Sequence, residues 1–184
     1  MTTSTITKLA LTKKDLTALK SCLSSDETRE VLASIHFGAG FVESTDGKML
    51  FRIYLEHGVE PGVYKIIRES KAVRGIVEVT LEQIEAQYPN TDQVIPADRR
   101  EFITVNVSKN PQVITSAALK LFTYYGAAYS VEFIERLSGL ESSWDCHSVS
   151  KDHPVKMVSK YGDDIKYLAV VMPFSFEAAK VSTK

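Results

Sequence analysis

The chain has 184 residues, of which 44% are hydrophobic and 24% are charged, a balance typical of a globular protein rather than a disordered or fibrous one. Its 22 Lys and Arg residues and 23 Asp and Glu residues give a formal net charge of −1. The chain as a whole therefore carries no excess positive charge that would attract nucleic acid, and any DNA contact needs a local basic patch. The first twenty residues carry several lysines and no continuous apolar stretch, so we expect no secretory signal. No segment approaches the roughly 20 apolar residues that span a bilayer.

The two cysteines, Cys22 and Cys146, lie far apart and lack CxxC spacing. This pattern favours reduced thiols in a cytosolic protein, and the alternative from the sequence is a single disulfide between the two cysteines.

The amino-terminal part predicts the order β-α-β-β-β. Residues 6–12 have the apolar pattern of a strand, and Thr12 then caps a helix in which Leu16, Leu19 and Leu23 recur at helical spacing. Three further strands, separated by turn residues, are predicted at 31–37, 41–43 and 49–55.

A second unit of the same order follows after residue 100. Residues 102–107 alternate as a strand does, and Asn110 with Pro111 begins a helix that ends at Gly126. Three strands are predicted at 129–137, 155–159 and 165–172, the last two joined by a hairpin at Gly162-Asp163-Asp164. The polar stretch 139–152 is predicted to be a long exposed loop.

These patterns predict an α+β protein with one domain over residues 1–184. We expect a first βαβββ unit at 6–55, a connector with its own edge strands at 56–100, a second βαβββ unit at 101–176 and a tail at 177–184.

Three short motifs occur in order along this pattern. They are Thr45-Asp46-Gly47, then Tyr88-Pro89 with Val94-Ile95-Pro96, and finally Val171-Met172-Pro173. With the two βαβββ units they resemble the bacterial sliding clamp, the β subunit of the replicative DNA polymerase, and its phage-encoded members most of all. The resemblance covers most of residues 6–176, and it implies a DNA clamp fold with antiparallel sheets and two helices.

The resemblance implies a DNA sliding clamp, a polymerase processivity factor that holds duplex DNA non-specifically and recruits DNA polymerase and other clamp-binding proteins in the bacterial cytoplasm. Family subunits carry three copies of the domain, whereas this chain has length for one domain and an enlarged connector. We therefore expect a homo-oligomeric ring of several copies, up to six. The alternative is a clamp-fold protein that binds a host clamp or polymerase and regulates replication without forming a ring.

A clamp attracts DNA phosphates through lysines, without reading sequence. Lys13 and Lys20 lie seven residues apart on one face of the first predicted helix. In the family the turn motif Thr45-Asp46-Gly47 often continues with His, Arg and Leu, whereas this chain has Lys48-Met49-Leu50, so Lys48 is the one cation at this turn. For each candidate the alternative is an ordinary solvated lysine. The candidate DNA contacts are Lys13, Lys14, Lys20, Lys48, Lys109 and Lys120.

The last predicted strand stays apolar past Pro173, which by periodicity alone indicates a core strand. In clamps the methionine-proline end of this strand borders a hydrophobic pocket for short peptides of partner proteins. The resemblance therefore implies a partner-peptide pocket at Val171, Met172, Pro173 and Phe174.

Catalytic motifs are missing from the sequence. No GxxxxGK[ST], GxGxxG, GxSxG or HExxH pattern occurs, and Cys146-His147 with His153 lacks the second cysteine pair of a zinc site. We expect no enzyme, no metal and no cofactor. An enzyme that uses the segment 146–153 is the third and least favoured hypothesis.

Overall fold

The computed structural model describes residues 5–26 and 28–174, which form ten β-strands and three α-helices. The chain divides into two compact units, one of the residues up to Thr91 with Lys160–Ala169, the other of Asp92–Ser159 with the residues from Val170. The predicted tail at 177–184 lies outside the described residues. The described helices include none long and apolar enough to cross a membrane.

The first unit has the predicted order β-α-β-β-β, followed by two long strands. Its elements are β1 (Ile6–Thr12), α1 (Lys13–Ser21), β2 (Ile35–Gly38), β3 (Phe41–Thr45), β4 (Met49–Tyr54), β5 (Gly62–Glu69) and β6 (Ile76–Ile84). The strands are arranged β1-β6-β5-β2-β3-β4, and β4 is followed by β10 (Asp164–Val171). The connector strands β5 and β6 therefore lie between β1 and β2 and are interior strands, which corrects the prediction of edge strands at 56–100.

Helix α1 begins where the sequence predicts. The Thr12 hydroxyl accepts a hydrogen bond from the Asp15 backbone N–H at 3.2 Å and satisfies a donor that the first helical turn leaves open. Leu16 and Leu19 are buried, and the Tyr167 hydroxyl donates to the buried Asp15 carboxylate at 2.7 Å. The helix thus packs by one face and leaves its lysines on the other.

The second unit contains the helices α2 (Pro111–Tyr125) and α3 (Val131–Arg136) and three strands in the order β9 (Val155–Tyr161), β8 (Ser143–His147) and β7 (Ile103–Asn106). Asn110 caps helix α2 by accepting from the Gln112 N–H at 3.0 Å, and Gly126 ends the helix with a φ of +71°. Ala117 and Leu121 are buried. Strand β10 (Asp164–Val171) follows β9 in a hairpin, and the tip of this hairpin belongs to the first unit.

Two predictions for the second unit are wrong. Residues 129–137 contain helix α3 rather than a strand, because Ile134 and Leu137 are buried at a spacing of three and Glu132 pairs with Arg136 one turn on. The supposed loop at 139–152 contains strand β8, in which Trp144 and Cys146 are fully buried. Strand β8 therefore takes the place of the strand predicted at 129–137, and the third helix is additional to the two expected.

A buried network around Glu43 holds the first unit together. The Glu43 side chain is fully buried, and its carboxylate accepts from Arg52 Nε, from the Thr91 hydroxyl and from His36 Nδ1, each at 2.8 Å. The Tyr88 ring stacks on His36 at 4.6 Å between centroids. These contacts connect β2, β3 and β4 to the segment 88–91, which follows β6.

We expect Arg52→Met to lower the free energy of unfolding by about 3 to 5 kcal/mol, because the Glu43 charge is then buried without its cation. The double variant Glu43→Gln with Arg52→Met should be more stable than Arg52→Met alone, since the buried charge is removed as well. Urea unfolding followed by circular dichroism measures both values. A double variant no more stable than the single one would contradict this role of the network.

Candidate functional site

The motif Thr45-Asp46-Gly47 forms the turn between β3 and β4. The Asp46 carboxylate accepts from the backbone N–H groups of Lys48 and Met49 at 2.8 Å, and Gly47 has a φ of +88°. The Thr45 hydroxyl donates to the Met49 carbonyl at 2.8 Å. The motif is therefore explained by the turn itself, and Lys48 is the exposed cation that the turn presents.

Helix α1 brings three candidate DNA contacts to its exposed side, namely Lys13, Lys14 and Lys20. The Lys20 ammonium is paired with the Glu69 carboxylate at 2.6 Å, which offsets its charge. Lys14 Nζ lies 5.9 Å from the centre of the Tyr167 ring. Within the described part of the chain, no side-chain partner of Lys13 or Lys48 is observed, so their ammonium groups face solvent.

Helix α2 offers much less positive charge than expected. Lys109 is exposed ahead of the helix, but Lys120 Nζ donates to the Thr104 backbone carbonyl at 2.7 Å. Lys120 is the one charged residue in Pro111–Tyr125. Exposed Leu119 and Phe122 occupy the outer side of this helix. Helix α1 therefore presents more cations to solvent than helix α2 does.

The four predicted pocket residues at the end of β10 differ in their exposure to solvent. Val171 is fully buried and belongs to the core of its unit, whereas Met172 and Phe174 are 42% and 58% exposed. The Phe174 backbone N–H donates to the Ala128 carbonyl at 2.8 Å and fixes the chain beyond the half-buried Pro173. Two large apolar side chains are thus presented on an anchored backbone.

The segment 146–153 buries its cysteine and pairs His153 with a serine. Cys146 is fully buried, and burial raises the pKa of its thiol well above the usual range, so the thiol stays protonated and unreactive at neutral pH. His153 Nδ1 contacts the Ser150 hydroxyl at 2.8 Å instead of the cysteine. Over residues 5–26 and 28–174, no group of three or more His, Cys, Asp or Glu side chains is placed to hold a metal ion.

The strand edges are a feature that the sequence analysis did not assign to particular residues. Strand β1 pairs with β6 from Ile6 to Thr12, and the Gln83 N–H donates to the Thr5 carbonyl. Because antiparallel partners alternate, the backbone groups of odd-numbered residues face β6 and those of Lys8 and Ala10 point outward. Strand β7 is the other outer strand, and among the described strands it pairs with β8.

Comparison with known proteins identifies the fold. No protein-family model and no curated protein matches the sequence. Among solved structures, the chain is similar to the DNA polymerase III β chain of Streptococcus pneumoniae, with a TM-score of 0.60, 16% identity and coverage of 95% of this chain and 66% of that one. The chain has the sliding-clamp fold.

Two other solved clamps agree with this result. The β subunit of Thermotoga maritima gives a TM-score of 0.59 at 12% identity, and the β sliding clamp of Caulobacter crescentus gives 0.61 at 12% identity. In both cases 95% of this chain and 67% of the other are covered. The α+β clamp fold implied by the sequence resemblance is confirmed, and the chain spans about two thirds of the length of these sliding clamps.

Proposed function

We propose that the protein is a DNA sliding clamp, a processivity factor without catalytic activity that holds duplex DNA and tethers other replication proteins to it in the cytoplasm. The observation that carries this proposal is the sliding-clamp fold over 95% of the chain. The exposed lysines of α1 and the exposed apolar end of β10 supply the two surfaces that such a role needs.

The assembly we propose is a closed ring of several copies. The family ring implied by the resemblance has six domains, three from each of two subunits. Because this chain spans 66% of the length of the Streptococcus subunit, a ring of the same size needs about three copies. The outward backbone groups of β1 would pair with strand β7 of a neighbouring copy, as unprotected sheet edges readily do.

Ala10→Pro should break this assembly. Ala10 is exposed, and its N–H points away from β6, so proline removes a bond to the neighbouring copy without disturbing the ladder to β6. Mass photometry should show a ring for the parent protein and a monomer for the variant, with unchanged circular dichroism. If the parent itself is monomeric over a wide concentration range, with and without duplex DNA, the regulatory protein that binds a host clamp or polymerase becomes the better proposal.

We propose that DNA is held by ammonium groups that are not occupied within the fold. Lys13, Lys48 and Lys109 are exposed, and no side-chain partner is found for them among the residues described. Lys20 and Lys120 already bind Glu69 and the Thr104 carbonyl. Phosphates would therefore compete with existing partners at the second group but with water alone at the first.

Replacing Lys13, Lys48 and Lys109 by Gln should weaken retention on circular duplex DNA and lower the slope of log affinity against log salt by about 2.7, at about 0.9 for each phosphate contact. The matched variant Lys20→Gln with Lys120→Gln should change the slope less per lysine. Retention is measured by gel filtration of loaded circles at several salt concentrations. Equal loss per lysine in the two variants would contradict the distinction between occupied and unoccupied cations.

The partner site that we propose is the exposed end of β10. Methionine and phenylalanine adapt to peptides of varied shape, and a few such anchors supply most of the binding energy at an interface. Since the Phe174 N–H is bonded to Ala128, little backbone ordering is needed when a peptide binds. DNA polymerase and other clamp-binding proteins are the proposed partners.

Met172→Ala with Phe174→Ala should weaken binding of a hydrophobic clamp-binding peptide by roughly 1 to 3 kcal/mol, measured by isothermal titration calorimetry, with little change in thermal stability. The control Val171→Ala should do the reverse and reduce stability, because burying a valine side chain contributes about 1.5 to 3 kcal/mol. Loss of stability in the double variant, or unchanged peptide binding, would remove this site from the proposal.

A further inference from the structure

A cleft of about 460 Å³ lies within the second unit, and neither the six candidate lysines nor Met172 and Phe174 line it. It is lined by Arg99, Arg100, Glu101, Tyr124, Tyr125, Ser148 and Val149. None of these residues is used by the proposed clamp function. The cleft combines exposed cations with an exposed aromatic ring, which is the combination that binds single-stranded nucleic acid.

The cations of the cleft are available to a ligand. Both arginines are exposed, and in the described part of the chain neither guanidinium group has a partner. Glu101 is the one carboxylate among the lining residues. The cleft thus has an excess of positive charge in a chain whose net charge is −1.

The segment that carries the arginines is attached to strand β8. The Arg99 backbone N–H donates to His147 Nδ1 at 3.3 Å, and the Phe102 ring lies 5.0 Å from the His147 ring. Burial, followed by the neighbouring Lys156, lowers the pKa of His147. The imidazole is therefore neutral at pH 7 and its Nδ1 can accept this bond.

The aromatic wall of the cleft is held in place in a similar way. The Tyr125 hydroxyl donates to the Cys146 backbone carbonyl, which fixes the Tyr125 ring against β8. Tyr124 packs edge-to-face on Tyr125, with 4.9 Å between ring centroids, and remains 50% exposed. A preorganised aromatic face of this kind lets a base stack at a small entropic cost.

We propose that this cleft binds single-stranded nucleic acid, with backbone phosphates at Arg99 and Arg100 and a base stacked on Tyr124. A free phosphate or a phosphopeptide would use the arginines alone, whereas the exposed tyrosine face fits a base. The bases of a duplex are already stacked on one another and cannot use it. This binding requires neither a ring nor encircled duplex DNA, so it stands apart from the proposed clamp function.

Fluorescence anisotropy with labelled oligothymidylate of twenty nucleotides, added to the full chain at low salt, tests the proposal. Arg99→Gln with Arg100→Gln should weaken binding at least about tenfold and lower the salt slope by about 1.4, at about 0.7 for each contact to a single strand. Tyr124→Ala should weaken binding about tenfold, and Tyr124→Phe should preserve it, because a base stacks on the ring and needs no hydroxyl. Glu101→Gln should tighten binding several-fold, an effect that misfolding cannot produce.

The matched control is Arg29→Gln with Lys160→Gln, which removes the same charge from exposed positions of the first unit. An equal loss in this control would show general electrostatic attraction and overturn the proposal. Wild-type affinity in Tyr124→Ala would also overturn it and leave an anion site only. Failure of the clamp is measured separately, as the absence of a ring or of retention on circular duplex DNA, and neither result bears on oligothymidylate binding.

Discussion

The buried carboxylate of Glu43 is the constraint on which the first unit depends. An ionised carboxylate without access to water is strongly unfavourable unless donors surround it. Here Arg52, Thr91 and His36 each supply one donor at 2.8 Å, and the Arg52 guanidinium also lies 4.0 Å from the centre of the Phe41 ring. Since these donors come from separate strands and from the segment after β6, the charge is tolerated only when all of them are assembled.

Two of the motifs behind the sequence resemblance are explained largely by contacts within the first unit. The Asp46 carboxylate is occupied by backbone N–H groups of its own turn, and Tyr88 is buried against His36. Burial also raises the pKa of Tyr88, which keeps its hydroxyl neutral. The side chains of Asp46 and Tyr88 therefore stabilise the fold. The surfaces that we propose for DNA, for peptides and for other copies lie on residues outside these motifs, such as Lys48, or at the exposed end of one motif, such as Met172.

Local chemistry made much of the fold predictable from the sequence. Helices begin or end at Thr12, Asn110 and Gly126 through interactions with residues close in the sequence. A few residues around each position are therefore enough to predict these helix ends. Helix α3 and strand β8 were missed because each is short and its type is decided by tertiary burial. Tyr129, Val131 and Phe133 alternate as in a strand, yet Val131 is exposed, and Ile134 and Leu137 are buried at helical spacing. Strand β8 carries only Trp144 and Cys146 as apolar signal.

The candidate sites also depend on contacts between residues that are distant in the sequence, which short sequence patterns do not predict. Periodicity alone indicated a core strand up to Phe174, and only the sequence resemblance implied a pocket at Met172 and Phe174, which the structure leaves exposed. The partners of Lys20 and Lys120 are 49 and 16 residues away in the sequence, and Arg99 and Arg100 reach Tyr124 only through the fold. The sequence shows the adjacent pairs Arg99-Arg100 and Tyr124-Tyr125, but nothing local in it indicates that the two pairs line one cleft.

Occupied cations also constrain how the proposed clamp can hold DNA. The chain has a net charge of −1, α2 carries a single charged residue, and that lysine is bonded to a backbone carbonyl. A surface with few available cations gives weak phosphate binding that salt readily screens. A closed ring does not require strong binding, because topology prevents dissociation while weak contacts allow sliding. The sparse charge of the helices is therefore consistent with retention by enclosure, and it makes assembly of the ring the step on which the proposed function depends.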